Sequence, residues 1–259
     1  MMSQDAPAGW KALKAGRNRG GAAIVRGPEL QNEQGLAKRY RGVPTVTLPT
    51  VDLPATPLGS TLKERVSCRQ FGAEPLTLSE VTTILEASYG SWGIGETPAG
   101  AMLERPVPSG GARFPLEVYL IVRRAEGLTP GVYHYVPEDR LLETLRGPLP
   151  WASIVRLFLD QPYLARVDTL MVLTAMAGRT LKRYGERGFR FLWLEAGHAV
   201  QNGILASTAL GLGSLPLAGF YDEPLAGVLG VSSETEPPLY ALALGRSPVE
   251  DRAERRKVI

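Results

Sequence analysis

The middle of the chain contains strand-like apolar segments and a hairpin, and this order of elements constrains the fold most. The segment LEVYLIVRR (116–124) alternates as a strand does, and GVYHYVPEDRLLETL (131–145) predicts a hairpin that turns at Pro137–Asp139. DTLMVLTAM (168–176) predicts a buried strand, and PLYALALG (238–245) predicts the last one. Because these strands do not alternate regularly with helices, the sequence predicts an α+β fold.

Several helices are predicted around these strands. Thr77 and Glu80 have the spacing of a capping box, which predicts a helix over SEVTTILEASYG that ends at Gly90. A longer helix is predicted from Phe189 to Leu210. Asp222 is expected to cap a helix over DEPLAGVLGV.

The first part of the chain has a different composition. Residues 1–57 are rich first in Gly and Arg and then in Pro, which predicts an extended arm whose later part lies along a surface, such as that of a partner subunit. Residues 58–259 are expected to form one globular domain. Within it, the Gly/Pro-rich stretch 91–115 predicts a functional loop, since such long loops are uncommon in compact domains.

Composition excludes several classes of function. With one cysteine and two histidines in 259 residues, zinc and iron–sulfur sites are disfavoured and no metal site is predicted. A single cysteine also excludes an intrachain disulfide framework and favours a cytoplasmic protein. The net charge of +3 is small and the basic residues are scattered, so nucleic acid is not an expected partner. No apolar run is long enough for a membrane span, and the N-terminus lacks the core of a signal peptide.

Arg65, Ser67 and Arg69 form the first cluster that could bind a ligand. Their alternate spacing places two guanidiniums and a hydroxyl on one side of the chain, which suits a phosphate. A solvated charged face would show the same pattern, so both interpretations stay open.

The second candidate is the segment Pro108–Ser109–Gly110–Gly111. Consecutive glycines allow a backbone to approach a flat ligand closely, although a tight turn before a strand would use them too. No Walker motif or G-x-G-x-x-G follows a strand, and the nearest Gly-rich loop, GLGSLPLAGF (211–220), follows a helix.

The predicted long helix has small residues at regular spacing, which permits close packing either at a dimer seam or in the core. Glu195 and His198 form an E-x-x-H pair, but a di-metal site needs a second copy, so His198 is interpreted as structural. His134 is expected to point outward. The absence of G-x-S-x-G argues against a hydrolase, and Cys68 is not favoured as a nucleophile.

Taken together, five segments resemble the FMN-dependent nitroreductase superfamily, and within it the SagB-type dehydrogenases, which include the azoline oxidases of ribosomal peptide modification. The segments are RVSCRQF, PVPSGGARFPLEVYLIV, EGLTPGVYHYVPEDRLLETL, YGERGFRFLWLEAGHAVQNGILASTALGLGS and EPPLYALALGRSP. The resemblance covers about Leu58 to Pro248. It implies a central, mostly antiparallel sheet flanked by helices, in a domain-intertwined homodimer with FMN at the subunit interface.

The resemblance also implies a set of cofactor-binding residues. They are a phosphate-gripping group (Arg65, Ser67, Arg69 and Arg246), a loop that the partner subunit lays against the flavin ring (Pro108, Ser109 and Gly110), a helix pair near the cofactor (Gln201 and Asn202), and a backbone segment facing flavin N5 (Ala218 and Gly219).

In azoline oxidases, by this resemblance, a Lys–Tyr pair takes the proton as hydride passes to the flavin. Here Tyr184 is preceded by Arg183, and Lys182 lies one position further back. Arginine cannot act as a general base, whereas a desolvated lysine can. The catalytic candidates are Tyr184, Lys182 and Arg183. Either a local bulge returns Lys182 to the site, or azoline deprotonation is lost or is done by Tyr184.

The resemblance implies an oxidoreductase that converts a thiazoline or oxazoline, or a related C–N substrate, with hydride passing to flavin N5 and oxygen reoxidising the flavin. The substrate would be a modified peptide or a small molecule, and other enzymes of a biosynthetic complex could be partners. One alternative is an NAD(P)H-dependent nitroreductase or flavin reductase. Another is a flavin-binding scaffold subunit.

Overall fold

An antiparallel sheet forms the centre of the molecule. The computed structural model describes residues 38–97 and 100–248. The strands in chain order are β1 (Thr45–Thr47), β2 (Gly93–Thr97), β3 (Gly100–Glu104), β4 (Leu116–Val122), β5 (Gly131–Val136), β6 (Leu141–Arg146), β7 (Thr169–Ala175), β8 (Gly213–Leu217) and β9 (Pro238–Gly245). Seven lie side by side in the order β1–β6–β5–β4–β7–β9–β8, with every neighbouring pair antiparallel, while β2 and β3 form a separate hairpin. The predicted α+β class and mostly antiparallel sheet are confirmed.

Helices cover both faces of the sheet. They are α1 (Leu58–Glu64), α2 (Leu78–Tyr89), α3 (Trp151–Leu157), α4 (Gly178–Tyr184), α5 (Gly188–Ala209) and α6 (Asp222–Leu229). In β4, Val118 and Leu120 pack into the core beneath α2 and α5, whereas Tyr119 and Ile121 pack into a second core beneath α3 and α6. With both faces covered, all seven residues of β4 are buried. Among the described helices, none is both long and apolar enough to cross a membrane.

Several predicted boundaries are confirmed. The backbone N–H of Thr77 donates to Glu80 Oε2 at 2.8 Å, and the N–H of Glu80 donates to Thr77 Oγ1 at 3.2 Å, so α2 begins with the expected capping box. The hairpin between β5 and β6 turns through Pro137–Asp139. The long helix α5 lies within one residue of its predicted limits at each end.

Other local predictions are wrong. The 211–220 segment contains strand β8, whose Pro216 is tolerated because β8 is an edge strand. The predicted loop at 91–115 contains the β2–β3 hairpin. Asp222 is the first residue of α6 rather than its cap; Tyr221 has the cap position and makes no capping hydrogen bond through its side chain.

The described part of the predicted arm is attached to its own chain. Strand β1 pairs with β6, and the ammonium of Lys38 lies 2.7 Å from a carboxylate oxygen of Glu236. Residues 1–37 of the arm and the tail after residue 248 lie outside the described residues. The boundary between arm and domain at residue 57 stays a prediction.

His134 does not point outward as expected; it is fully buried. Its Nδ1 lies 2.8 Å from Glu143 Oε2 and its Nε2 lies 2.9 Å from Glu117 Oε2. The ring therefore bridges two carboxylates from neighbouring strands. Although burial opposes ionisation, His134 and the guanidinium of Arg179 hold the pKa of Glu117 below its ordinary value.

We expect the substitution His134→Leu to lower the free energy of unfolding by about 3–5 kcal/mol, because it leaves two buried carboxylates without their shared donor. Chemical denaturation of the purified protein measures this loss. The exposed His198 provides the control, since His198→Leu should change stability by less than about 0.5 kcal/mol. Equal effects of the two substitutions would contradict the assignment.

Candidate functional site

The glycine loop, residues 108–111, packs directly on α4 and α5. Gly111 has a φ of +66°, and a Cβ placed on it would lie 2.5 Å from the hydroxyl oxygen of Tyr184 and 3.5 Å from Nε of Arg183. A Cβ placed on Gly110 would lie 3.0 Å from Cδ2 of Phe191. A side chain at Gly111 would displace the Tyr184 hydroxyl and one at Gly110 would press on the Phe191 ring, so the two glycines permit the backbone to contact both rings closely.

Tyr184 lies at the end of α4 and is partly buried. Its ring meets that of Phe191 edge to face, with centroids 4.8 Å apart and an interplanar angle of 90°. The guanidinium carbon of Arg183 is 5.6 Å from the centre of the Tyr184 ring. Helix α4 is continuous from Gly178 to Tyr184, so it contains no bulge that would return Lys182, which is exposed. The structure brings Tyr184 and Arg183 to the glycine loop but not Lys182.

The end of the segment that follows the glycine loop is held by Arg179. Its Nη1 donates to the carbonyl oxygen of Phe114 at 3.1 Å, and its Nη2 lies 2.7 Å from Glu117 Oε1. The backbone N–H of Phe114 donates to Ser109 Oγ at 2.9 Å. Phe114 is thereby bonded both to the glycine loop and to α4, and Arg179 connects it through Glu117 to the buried His134.

Glu195 lies beneath the glycine loop and is only 2% exposed. Tyr89 donates its hydroxyl to Glu195 Oε1 at 2.7 Å, and the Ser109 side chain also hydrogen-bonds to the carboxyl. Oε2 is buried and makes no hydrogen bond within the described part of the chain. Burial raises the pKa of Glu195 to about 7, although Ser109, Tyr89 and the charge of Arg105 act in the opposite direction.

The arginine segment, residues 65–69, lies beside the start of β8. The N–H of Cys68 donates to the carbonyl of Ser214 at 2.9 Å. Arg65 and Ser67 are partly buried and Arg69 is exposed, and neither arginine forms a salt bridge with another described residue. Two guanidiniums without acidic partners can bind an anion, as the sequence predicts for a phosphate.

Arg246, the predicted fourth phosphate ligand, is already paired. Its Nη1 and Nη2 donate to the two carboxylate oxygens of Glu80 at 2.7 and 3.0 Å, and Nη2 also donates to the carbonyl of Pro75. The hydrogen bond with Glu80 raises the pKa of Arg246 above its ordinary value. Its role in binding a phosphate stays a prediction. Unlike Arg65 and Arg69, Arg246 has a charge that is largely neutralised by a carboxylate, that of Glu80.

Asn202 and Gln201 lie on α5. Asn202 donates from Nδ2 to the carbonyl of Pro106 at 3.2 Å, just before the glycine loop, whereas Gln201 is exposed. Asn202 also lines a groove of about 250 Å³. The other lining residues are mostly apolar: Leu53, Pro54, Thr56, Leu58, Thr61, Ala87, Trp92, Pro106, Leu205, Ala206 and Ala209.

The remaining predicted cofactor residues follow β8 or begin the glycine loop. Ala218 is exposed, and a Cβ placed on Gly219 would lie 3.1 Å from Cδ1 of Leu159. Pro108 is exposed at the start of the glycine loop. The contacts thus place the candidate residues in two groups, one around the glycine loop and Tyr184, the other around the arginine segment and β8.

Sequence reasoning missed the residues that support the glycine loop. The E-x-x-H pair of Glu195 and His198 gives no indication of a contact with the glycine loop, and His198, which the sequence predicts to be structural, is exposed. The spacing of Phe191 and Glu195, four residues apart on one face of α5, was the available signal. Tyr89 gave no such signal, because a tyrosine at the end of an apolar helix is usually a core residue.

Comparison with protein families matches residues 62–246 to the nitroreductase family. MJ1384 of Methanocaldococcus jannaschii, named as a nitroreductase, is 34% identical over 202 residues, which are 78% of this chain and 97% of that protein. The microcin B17-processing protein McbC of Escherichia coli is 29% identical over 58% of this chain and 57% of its own length. The trifolitoxin-processing protein TfxB of Rhizobium leguminosarum bv. trifolii is 29% identical over 63% of this chain and 48% of its own length. The chain thus spans about half the length of these two peptide-processing relatives.

Solved structures show the same fold. A protein of Anabaena variabilis named as a nitroreductase superposes with a TM-score of 0.66 and 25% identity, over 79% of this chain and 42% of that one. A chain of the E. coli microcin synthetase McbBCD complex, solved with truncated pro-MccB17 bound, superposes with a TM-score of 0.63 and 23% identity, over 92% of this chain and 87% of that one. A Desulfovibrio desulfuricans protein named as a nitroreductase and solved in complex with FMN superposes with a TM-score of 0.51 and 19% identity, over 75% of this chain and 88% of that one.

Glu195 generates a prediction about stability and pH. Because its pKa in the folded protein, about 7, is above its ordinary value of 4.5, the folded state binds this proton more tightly than the unfolded chain. The stabilisation that the Glu195 proton gives to the folded state is therefore complete below about pH 4.5 and is lost as the pH rises through about 7. The free energy of unfolding falls by about 3 kcal/mol in total.

We expect Glu195→Gln to remove this dependence and to be more stable than the wild type at pH 8. Denaturation between pH 5 and pH 8 measures the difference between the two proteins, with Glu223→Gln on the exposed start of α6 as the control. A constant difference across that range would contradict the raised pKa.

Proposed function

Because this chain belongs to the nitroreductase family, a family of flavin-dependent oxidoreductases, we propose that it binds FMN and oxidises a thiazoline or oxazoline ring in a ribosomally made peptide. The observation that carries the proposal is the position of Tyr184, whose hydroxyl lies against Gly111 of the glycine loop. The similarity to McbC and TfxB, both named as peptide-processing proteins, supports a modified peptide as the substrate.

The described residues fit a flat, anionic cofactor. Arg65 and Arg69, with the hydroxyl of Ser67, would bind the phosphate, because their positive charges have no acidic partner among the described residues. The backbone of the glycine loop, which Gly110 allows to pack closely on Phe191, would lie against the ring system. Asn202 and the backbone at Gly219 would supply polar contacts at the ring edge.

Oxidation of an azoline to an azole removes two electrons and two hydrogens. FMN, when bound, supplies the acceptor for one hydrogen as hydride. The other leaves as a proton, for which the phenolate oxygen of Tyr184 is the proposed acceptor in this chain. Arg183 keeps its own proton and cannot act as a base; its positive charge beside the Tyr184 ring would instead stabilise the phenolate that has to accept the proton.

A homodimer is part of this proposal. Helix α5 exposes Trp193 and Leu194, which are 53% and 58% accessible, and exposed apolar residues on one helix suit an interface. In this proposal the glycine loop of one subunit and the arginine segment of the other contribute to one flavin site. Partner enzymes of a biosynthetic complex are a further part of the proposal, supported by the resemblance to a chain of the McbBCD complex.

An NAD(P)H-dependent nitroreductase or flavin reductase is the second candidate function. One observation favours it: Lys182 is exposed on a continuous helix, so the lysine of the azoline oxidases has no equivalent beside Tyr184. In such an enzyme a pyridine nucleotide would supply the hydride, and Tyr184 would not need to accept a proton from the substrate.

The phosphate-binding role of the arginine segment predicts a specific effect on affinity. Arg65→Ala should weaken FMN binding at least tenfold, because a charge-assisted hydrogen bond contributes about 1.5–3 kcal/mol, while leaving riboflavin affinity unchanged. Titration of the apoprotein with each flavin, followed by fluorescence quenching, measures both constants. Arg166→Ala, at an exposed arginine, is the control, and an equal loss for FMN and riboflavin would argue against a phosphate site.

The reaction itself is tested by anaerobic titration of the FMN-loaded protein. A thiazoline-containing peptide should bleach the flavin absorbance, and Tyr184→Phe should slow the bleaching at least about 100-fold if its hydroxyl accepts the proton. Tyr221→Phe, at an exposed tyrosine, is the matched control. If NADPH bleaches the flavin and the thiazoline peptide does not, the azoline assignment is overturned in favour of a reductase. Bound FMN that neither donor reduces would indicate a scaffolding subunit.

A further inference from the structure

We propose that Glu195 is a positioning residue of the candidate site: its protonated carboxyl keeps the glycine loop closed on Tyr184, and its ionisation loosens the loop. Only the meaning of that loop as part of a flavin site rests on the proposed function. The coupling between Glu195 and the loop rests on this chain alone.

The geometry supporting this inference is a buried carboxyl that has one unpaired oxygen and is bonded to the loop through Ser109. Glu195 Oε1 accepts the hydroxyl of Tyr89 at 2.7 Å, whereas Oε2 is buried without a hydrogen bond in the described part of the chain. A buried carboxylate oxygen without a donor is unfavourable, so the closed arrangement favours the neutral acid. The Ser109 side chain, which hydrogen-bonds to this carboxyl, belongs to the loop itself.

Three groups from other elements act on Glu195, and on its own helix α5 the exposed His198 lies three residues further along. Tyr89 comes from α2, Arg105 from the segment after β3, and Ser109 from the glycine loop. Arg105 stacks on the Tyr89 ring, with its guanidinium carbon 4.7 Å from the centroid, and its Nη2 lies 2.5 Å from Glu138 Oε1. The charge of Arg105 is therefore already matched by Glu138, and no cation bonds directly to Glu195 among the described residues.

Opening of the loop admits water to Oε2 and returns the carboxyl toward its ordinary behaviour. The closed state then binds the proton more tightly than the open state, so protonation stabilises the closed loop. With a pKa of about 7 in the closed state and about 4.5 after opening, opening becomes about tenfold more favourable between pH 6 and pH 8.

The test needs no flavin. Hydrogen exchange of the peptide that spans residues 107–116, corrected for the intrinsic effect of pH on exchange, reports loop opening in the apoprotein. We expect protection in the wild type to fall about tenfold from pH 6 to pH 8. Glu195→Gln, which is neutral in the open and closed states alike, should show the same protection at both pH values, at a level above that of the wild type at pH 6. Tyr89→Phe removes a donor to the carboxylate and should move the transition to higher pH.

Glu86→Gln is the matched control. Glu86 is also a buried glutamate that accepts a hydrogen bond from a tyrosine, the hydroxyl of Tyr135 at 3.1 Å, and burial raises its pKa. It lies on α2, one turn before Tyr89, and within the described part of the chain it does not bond to the glycine loop. Its substitution should leave the response of the loop unchanged. Equal pH responses in the wild type and Glu195→Gln would overturn the proposal, as would protection that rises with pH in the wild type.

Binding of FMN at the same two pH values separates this inference from the proposed function. If the loop responds as expected but the wild type binds no FMN, the proposed function fails and the role of Glu195 stands. If FMN binds and the loop does not respond, the role of Glu195 is wrong and the proposed function stands. When both hold, the wild type should bind FMN more tightly at pH 6 than at pH 8, and Glu195→Gln should bind it equally at both.

Discussion

One guanidinium, that of Arg179, joins the sheet, the site loop and the helix that carries Tyr184. It pairs with Glu117 on β4 at 2.7 Å and donates to the carbonyl of Phe114 at 3.1 Å, while its own backbone forms the first turn of α4. Because Glu117 is in turn bound by the buried His134, the helix cannot shift without disturbing charges inside the sheet. The position of Tyr184, five residues further along α4, is therefore set by the interior of the domain rather than by a surface loop.

Two buried glutamates near the site show how the same residue type acquires opposite properties. Glu117 and Glu195 are 4% and 2% exposed. The former has His134 and Arg179 as partners, which keep it ionised in spite of burial. The latter has only neutral hydroxyls as hydrogen-bond donors, so desolvation prevails and it holds a proton near neutral pH. Glu117 therefore keeps its charge and its ion pairs, whereas the charge of Glu195 changes with pH near neutrality.

The sequence predicted the features that depend on local pattern. The capping box of Thr77 and Glu80, the turn at Pro137–Asp139 and the limits of α5 all follow from short-range chemistry. The family resemblance predicted the antiparallel sheet, and five ordered segments made it specific. Strand β8 was missed because Pro216 and its flanking glycines are typical of loops, and only its place at the sheet edge makes a strand possible.

The partners of buried polar groups could not be predicted. His134 lies on a strand buried on both faces, so alternation gave no reason to place it inside, and its two carboxylates come from β4 and β6. The environment of Glu195 likewise depends on Tyr89 and Ser109, which are 106 and 86 residues away in the chain. Long-range pairings of this kind decide the pKa values of the site, and a single sequence does not encode them in any local pattern.

The contact between Gly111 and Tyr184 has a consequence for the evolution of such chains. Any residue other than glycine at position 111 would require an unfavourable positive φ and would place its Cβ 2.5 Å from the phenolic oxygen. A larger residue at 111 would therefore require the Tyr184 side chain to move away or to be replaced by a shorter one. The two positions should therefore change together among related proteins, and a chain that has lost the tyrosine is where substitutions of this glycine should first accumulate.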